Sequence, residues 1–346
     1  MNDIACKIFD DLNEITLNEV NAFIAQSSKA SIYQNPYWVR LEKEKKITFY
    51  NIIFYKDNII VGFAILRGKK VPIINRYIYQ CVRGPVANDE AILKDIIKAI
   101  ATSLSSLKPI CITISPYWQD DAAKRLQSYS ESLGYVDVQQ YGDLHDVTLT
   151  IDLSKTSDEI LMTFRQTTRY EIKKASRLGL EVVPCSSDSD FNLFYSIYAK
   201  TASRKKFKIY DYEQLYNSWK WLLENPDFGV LFISKYKGDV LSGALILKHG
   251  CRAVYTIGAS SAGIHKGISQ NQLVQWHCIE WAKSAGCELY DLGGYYPGEG
   301  YEALKKANTF KLGFSDQLHQ LFRRHTIVYS KLLYHVYILV QKVLRK

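Results

Sequence analysis

The chain lacks paired cysteines. Cys6, Cys81, Cys111, Cys185, Cys251, Cys278 and Cys287 are scattered, odd in number and never spaced Cys-x-x-Cys. This argues against a disulfide framework and a thiolate zinc cluster, and it fits a reducing cytoplasm. No basic segment followed by an apolar core opens the chain; Asp3, Asp10 and Asp11 surround short apolar pieces instead, so export is not expected. The P-loop, the dinucleotide glycine fingerprint and the Gly-x-Ser-x-Gly elbow are all missing. His249, His265, His277, His319, His325 and His335 are dispersed, so neither a metal nor a resident cofactor is expected. No long Pro/Gly/Ser-rich stretch interrupts the sequence, and with 47% apolar residues, 25 Tyr and 14 Phe the chain is expected to fold throughout.

The formal charge of +9 favours anionic partners: nucleic acid, phosphorylated small molecules or an acidic membrane surface. A run such as Lys43, Lys45 and Lys46 is equally well a solvated face. At 346 residues the chain suits two domains rather than one.

An internal echo supports that division. Residues 54–66, FYKDNIIVGFAIL, align with 235–247, KYKGDVLSGALIL, at an offset of 181 residues, matching Tyr55/Tyr236, Lys56/Lys237, Gly62/Gly243, Ile65/Ile246 and Leu66/Leu247. Both segments read as β-hairpins, with Asp57-Asn58 and Gly238-Asp239 supplying the turns and a glycine in mid-strand for a bulge or close approach. The first is followed by a strand near 75–82, a helix near 89–107 and a strand at 109–115; the second by a strand near 251–259, a helix near 269–285 and a strand at 287–292. The order strand, strand, strand, helix, strand, helix thus occurs twice, which predicts a duplicated domain.

The boundary is expected near 153, after a strand at 147–152, giving lobes of 1–152 and 153–324. Ser154-Lys155-Thr156-Ser157 offers helix N-caps, and a charged helical stretch is expected from near Ser157 to a C-cap at Gly179, followed by a second helical pair over about 188–224. Residues 325–346 form a separate terminal piece. If Ser330–Lys346 is a helix, Lys331, His335, Gln341, Lys342, Arg345 and Lys346 fall within about 140° of arc. Such a basic amphipathic helix is too charged to span a bilayer; it either packs back on the first lobe or lies on anionic lipid.

Six segments in order carry a family resemblance: Tyr33-Gln34-Asn35-Pro36-Tyr37-Trp38, Arg83-Gly84-Pro85-Val86, Thr168 to Ala175, Arg204 with Phe207, Tyr290-Asp291-Leu292-Gly293-Gly294, and Phe310-Lys311-Leu312-Gly313-Phe314. Together they resemble the FemABX family of non-ribosomal peptidyltransferases, which build peptidoglycan interpeptide bridges. The resemblance implies an α+β fold of two tandem GNAT-like lobes, each a mixed β-sheet flanked by helices. It is to the small type, since no heptad run marks the coiled-coil arm that larger members are thought to use on transfer RNA. One departure stands out: the family's nucleotide-sugar binders place a lysine four residues after the tryptophan, where this chain has Glu42, with Lys43 one step later.

By the resemblance, Arg204 contacts the diphosphate of a nucleotide-linked acceptor, and Lys311 lies beside the transferred acyl group. Amine attack on an ester or thioester creates an oxyanion that a fixed ammonium stabilises, and a guanidinium grips phosphate oxygens bidentately. Lys311 read alone is an exposed strand-end lysine, with Phe310 and Phe314 flanking it. Asp291 orients an amine, serves as base, or caps the following turn. Gly293 and Gly294 admit a ligand close to the backbone, Tyr295 lines the cleft, and Tyr37, Trp38 and Arg83 complete the candidate binding set.

The donor is an aminoacyl-tRNA or an acyl-CoA. Against acyl-CoA, the turn Ser260 to Ser269 lacks the Gln/Arg-x-x-Gly-x-Gly/Ala pyrophosphate cradle. The implied acceptor is a phosphorylated or nucleotide-linked cell-envelope precursor, handled in the cytoplasm or at the inner membrane face.

Overall fold

The computed structural model describes residues 4–41, 47–72, 74–138, 145–205, 209–261, 265, 267–298 and 302–344. Two compact units divide the chain: residues 1–146 with 320–346, and residues 147–319. The first contains β1 (Ala5–Phe9), α1 (Glu14–Ala25), α2 (Pro36–Leu41), β2 (Ile47–Lys56), β3 (Ile59–Val71), β4 (Arg76–Cys81), α3 (Glu90–Ser103), β5 (Pro109–Ile114), α4 (Asp120–Ser132) and β6 (Val136–Asp137). The second begins with β7 (Val147–Asp152), α5 (Ser157–Thr163), α6 (Gln166–Arg177), β8 (Glu181–Pro184), α7 (Asp188–Lys205) and α8 (Tyr212–Glu224). It continues with β9 (Gly229–Tyr236), β10 (Asp239–His249), β11 (Arg252–Ser260), α9 (Gln270–Ser284), β12 (Leu289–Gly294), α10 (Glu302–Lys311) and β13 (Leu318–Gln320). The chain then returns to the first unit as β14 (His325–Val328) and α11 (Lys331–Leu344).

Each unit holds a mixed seven-stranded sheet, ordered β1-β2-β3-β4-β5-β14-β6 in the first and β13-β7-β12-β11-β10-β9-β8 in the second. Read from β1 and from β8, the two lists match slot for slot, so the duplication expected from the echo is the architecture. Both hairpins form, β2 with β3 and β9 with β10. Asp57 and Asn58 make the first turn at φ +50° and +63°. In the second the turn sits on Lys237 and Gly238, one residue earlier than expected, at φ +51° and +87°. Two central residues at positive φ match the twist of the flanking strands. Gly62 and Gly243 serve close packing: a Cβ would meet Ile96 Cδ1 at 2.2 Å in the first and Phe194 Cδ2 at 2.6 Å in the second.

The domain boundaries differ from the sequence expectation. β7 follows the first copy in sequence yet pairs with β12 of the second sheet. β14 follows the second copy yet lies between β5 and β6 of the first. The copies exchange one strand each, so the boundary falls at 146/147 rather than 152/153, and residues 320–346 belong to the first unit. A buried run such as Val147–Ile151 signals a central strand, but nothing local to it names the sheet it joins.

The helical stretch expected from Ser157 to Gly179 forms as two helices, α5 and α6. Phe164 and Arg165 are extended (ψ 154° and 144°), although neither is a helix breaker. Tertiary packing makes the break, because Phe164 is buried against Phe314 and Trp276, with ring centroids 5.1 and 5.6 Å away. Thr156 and Glu159 form a reciprocal capping box at the start of α5. Gly179, at φ +83°, ends the helical region as expected.

α11 packs one face on β5, with Leu333, Tyr334, Tyr337 and Ile338 half-buried. Its other face leaves Leu332, Val336, Leu339 and Val340 exposed, Leu332 by 76%. Among the described residues no helix is long and apolar enough to cross a membrane.

Candidate active site

The site begins where two parallel strands part. β11 and β12 pair only from Arg252↔Leu289 to Val254↔Asp291, although β11 runs on to Ser260 and β12 to Gly294. The corresponding strands of the first unit, β4 and β5, stay paired to Cys81↔Ile114 at their ends. The second sheet therefore opens beside Leu292-Gly293-Gly294. On the other side of β12 the register to β7 shifts between Asp291 and Gly294, a bulge. Gly293 sits in that bulge at φ +75°, where a side chain is strained and a Cβ would lie 3.2 Å from Tyr255 O.

Lys311 reaches this opening. It is the last residue of α10, not the strand-end residue expected from sequence, because α10 continues through Phe310 and the chain turns only at Gly313. Its Nζ donates to Gly294 O at 2.6 Å. The side chain is half-buried. Burial pushes its pKa down from 10.5 to about 8, with the Asp291 carboxylate opposing the shift. An ammonium has three protons, and the carbonyl takes one.

Asp291 is buried, with 1% of its surface exposed. Its Oδ1 accepts from Gly293 N at 2.7 Å and from Thr148 Oγ1 at 2.5 Å. Of the roles weighed from sequence, turn capping is the one its hydrogen bonds describe. The carboxylate also supplies the negative charge nearest in effect to Lys311. Thr148 lies on the exchanged strand β7, so the strand swap contributes a site contact that the sequence does not announce.

Aromatic packing anchors the end of α10 that carries the lysine. Phe310 and Phe314 meet edge-on at 5.1 Å, and Phe314 continues to Phe164. Gly313 lets Thr168 approach, since a Cβ there would lie 2.5 Å from Thr168 Oγ1. Asn308, one turn before Lys311, donates from Nδ2 to Tyr296 O at 2.8 Å and accepts from Tyr296 N at 3.2 Å. This reciprocal pair ties α10 to the segment leaving β12. Tyr295 is half-buried against the core of the second unit, its N–H bonded to Val147 O at 2.9 Å. Asn308, two residues before the Phe310–Phe314 motif, carries no role in the sequence reading; an amide late in a helix beside that motif is the signal that could have marked it.

Arg204 lies in the last turn of α7, exposed, and its Nη2 donates to Ser260 O at 3.2 Å at the end of β11. Sequence reasoning missed its two neighbours. The pKa of Lys205 is lowered by desolvation and then by the charges of Arg204 and of Lys306 on α10. Arg204 and Lys306 thus lie close enough for Lys205 to feel both charges, and the three cations form a local positive cluster.

Lys311, Asp291, Gly293, Gly294, Tyr295 and Phe310 thus come together, and Arg204 belongs to the same unit. Tyr37, Trp38 and Arg83 belong to the first. Asn35 Oδ1 caps α2 by accepting from Tyr37 N (2.9 Å) and Trp38 N (3.1 Å), and Trp38 is buried. Arg83 is also buried; its Nη2 donates to His145 O at 2.7 Å and its guanidinium lies 5.3 Å over the Tyr117 ring. Phe207, Glu42, Lys43, Lys45, Lys46 and residues 262–264 and 266 of the Ser260–Ser269 turn lie outside the described residues.

The chain is 27% identical over 150 residues to the UDP-N-acetylmuramoylpentapeptide-lysine N(6)-alanyltransferase of Weissella viridescens, spanning 43% of this chain and 44% of that protein. It is 21% identical over 349 residues to the lipid II:glycine glycyltransferase of Staphylococcus epidermidis, covering 81% of this chain and 83% of the relative. The crystal structure of FemX superposes with a TM-score of 0.82 at 19% identity, over 95% of this chain and 99% of that one. A tandem GNAT protein from the clavulanic acid biosynthesis pathway superposes at 0.50 and 10% identity, over 94% and 98%. The acetyltransferase (GNAT) domain model matches residues 162–306, the part that carries the opened sheet. The FemAB family model matches residues 15–224, more than half of the sequence, and the chain belongs to that family.

Proposed function

We propose that the chain transfers an aminoacyl group from an aminoacyl-tRNA ester to an amine of a peptidoglycan precursor. The observation that carries this reading is the half-buried Lys311 ammonium held at the parted ends of β11 and β12. The acceptor amine attacks the ester carbonyl, and a tetrahedral oxyanion forms. Lys311 donates to that oxygen, in a site dry enough to strengthen the interaction. The intermediate collapses, the C–O bond to the ribose breaks, the amine's proton is lost and the ribose oxygen gains one. The products are an amide and a free tRNA hydroxyl, with no covalent enzyme intermediate.

Arg204, Lys205 and Lys306 grip the phosphates of the acceptor precursor, a reading supported by the closeness of both other cations to Lys205. Asp291 acts as a positioning residue, holding the Gly293 turn and keeping Lys311 charged. The exposed apolar stripe of α11, flanked by exposed Lys331 and His335, seats the enzyme on anionic lipid, where a lipid-linked precursor is presented. The relatives' names point to acceptors of both kinds, soluble and lipid-linked.

The test supplies purified protein with charged tRNAs or acyl-CoAs plus amine acceptors, and measures acceptor mass. Mass gain that depends on charged tRNA is expected. Gain from acyl-CoA alone would replace this reading with an acyl-CoA-dependent N-acyltransferase acting on an amino sugar, to which the GNAT domain match lends support.

A further inference from the structure

Helix α6 carries a charge pattern that the Lys311 chemistry does not use. Thr168, Ile172 and Ala175 are its buried side. At about 100° per residue, Arg169, Lys173, Arg177, Tyr170 and Lys174 fall together within about 140° on the opposite side. Tyr170 is 58% exposed, and Lys173 and Arg177 are exposed. Arg165, exposed as well, precedes the helix as its N-cap. Among the described residues none of these cations forms a salt bridge, whereas Lys94, Lys124, Lys220 and Lys235 on other elements do. Glu280 lines the same cleft as Lys173 and Arg177 without pairing with them, and a helix face with this density of cations attracts an anion.

Two geometric facts give the anion a shape. Arg169, Lys173 and Arg177 are spaced i, i+4, i+8, so successive cations advance about 6 Å along the axis. That is close to the phosphate-to-phosphate step of a polynucleotide strand. Arg169 is also fixed in place, its Nη1 bonded to Phe164 O at 2.5 Å and Met162 O at 3.1 Å. The face is continuous with the active site of the same unit: Arg165 N donates to Gly313 O at 3.0 Å, two residues beyond Lys311.

We propose that the exposed face of α6 is an RNA-docking surface: its basic residues track the phosphates of the donor's nucleic acid, Tyr170 offers a ring to an unpaired base, and the strand leads from there to Lys311. The inference rests on the aminoacyl-tRNA reading and adds where the RNA lies. An anionic membrane is the competing occupant of a basic face, but the regular cation spacing and the single large exposed aromatic among the charges favour a strand.

The test uses the full chain and the triple variant K173Q/K174Q/R177Q, with K69Q/K70Q/K98Q, three exposed lysines of the first unit, as a control of equal charge change. Binding of a fluorescent tRNA acceptor-arm minihelix is measured by anisotropy between 50 and 200 mM KCl, as chosen conditions. The α6 variant should bind about 30-fold more weakly, and its log K against log salt slope should be shallower by about 2. The control should stay within about twofold. With charged tRNA, KM should rise for the α6 variant while kcat at saturation holds. Equal loss in both variants, or none in either, overturns the docking surface. So does loss of binding to phosphatidylglycerol vesicles with minihelix binding intact. If the unaltered chain turns over charged tRNA and the α6 variant does so with the same KM, the docking surface fails and the donor reading stands. If the unaltered chain neither binds the minihelix nor uses charged tRNA, both fail.

Discussion

Lys311→Ala should lower kcat/KM for acyl transfer about 10³-fold, the loss expected when a preorganised oxyanion donor is removed. The fall should be in kcat, because the interaction strengthens only as charge develops on the carbonyl oxygen. Lys311→Met should show the opposite effect on the fold. Burial lowers the lysine's pKa from 10.5 to about 8, so in the folded state the charged form is disfavoured. The sign follows directly. Below pH 8 the folded chain carries a charge that the unfolded chain would solvate better, and this penalty is full there. It fades as pH rises from about 8 toward 10.5, where both states lose the proton. The penalty is on the order of 3 kcal/mol at most, and the half-exposed part of the side chain reduces it. An apolar residue of similar length escapes it, so Lys311→Met should melt a few degrees higher at pH 7 while being nearly inactive. A structural lysine would show the reverse, lower stability with activity kept.

Ending the chain after His319 should abolish folding of the first unit, whereas ending it after Ser330 should not. The two truncations differ by residues 320–330, which bury Leu321 and Phe322 and include β14, placed between β5 and β6 with His325, Thr326 and Ile327 buried. Thr326 Oγ1 also pairs with Thr113 Oγ1 at 2.8 Å. Without β14, both neighbouring strands lose their ladders and the core loses several full side chains, each worth roughly 1.5–3 kcal/mol. For Leu321, Phe322 and Ile327, together with the lost ladders, that is comparable to the net stability of an ordinary domain, about 5–15 kcal/mol. The shorter product should be insoluble or give a near-random circular dichroism spectrum. The longer one keeps β14 and lacks only α11, so it should fold. It should also lose flotation with phosphatidylglycerol vesicles, since the exposed stripe at Leu332, Val336 and Leu339 goes with it. A folded product from the His319 truncation would contradict the strand exchange; undiminished flotation of the longer one would remove the membrane role of α11.

The exchange also marks how far the sequence could be read. The hairpin echo, its mid-strand glycines and the helix–strand order that follows were legible, because they depend on local periodicity and turn chemistry. The sheet joined by β7 or β14 was not, because a buried alternating strand looks the same whichever neighbour it pairs with. The break at Phe164 was hidden for a related reason: no glycine or proline marks it, and the cause is a ring buried against Phe314, 150 positions away in sequence. At the site, the Gly293-Gly294 pair and Lys311 stood out as residue types suited to close approach and charge. Thr148, Lys205 and Lys306 did not, since each acquires its role only from what the fold places beside it.

The direct test of Lys311 as a charged oxyanion donor is the pH dependence of transfer at subsaturating acceptor. Below pH 8 the rate should climb about tenfold per unit, as an acceptor amine with an ordinary pKa of about 10.4 loses its proton. Near pH 8 the climb should stop, because Lys311 then loses its own proton as fast as the acceptor does. Asp291→Asn removes the charge that holds the lysine's pKa up, so the level region should begin at lower pH. A rate that rises straight through pH 8 to 10 in the unaltered enzyme, and is indifferent to Asp291, would contradict the role given to Lys311.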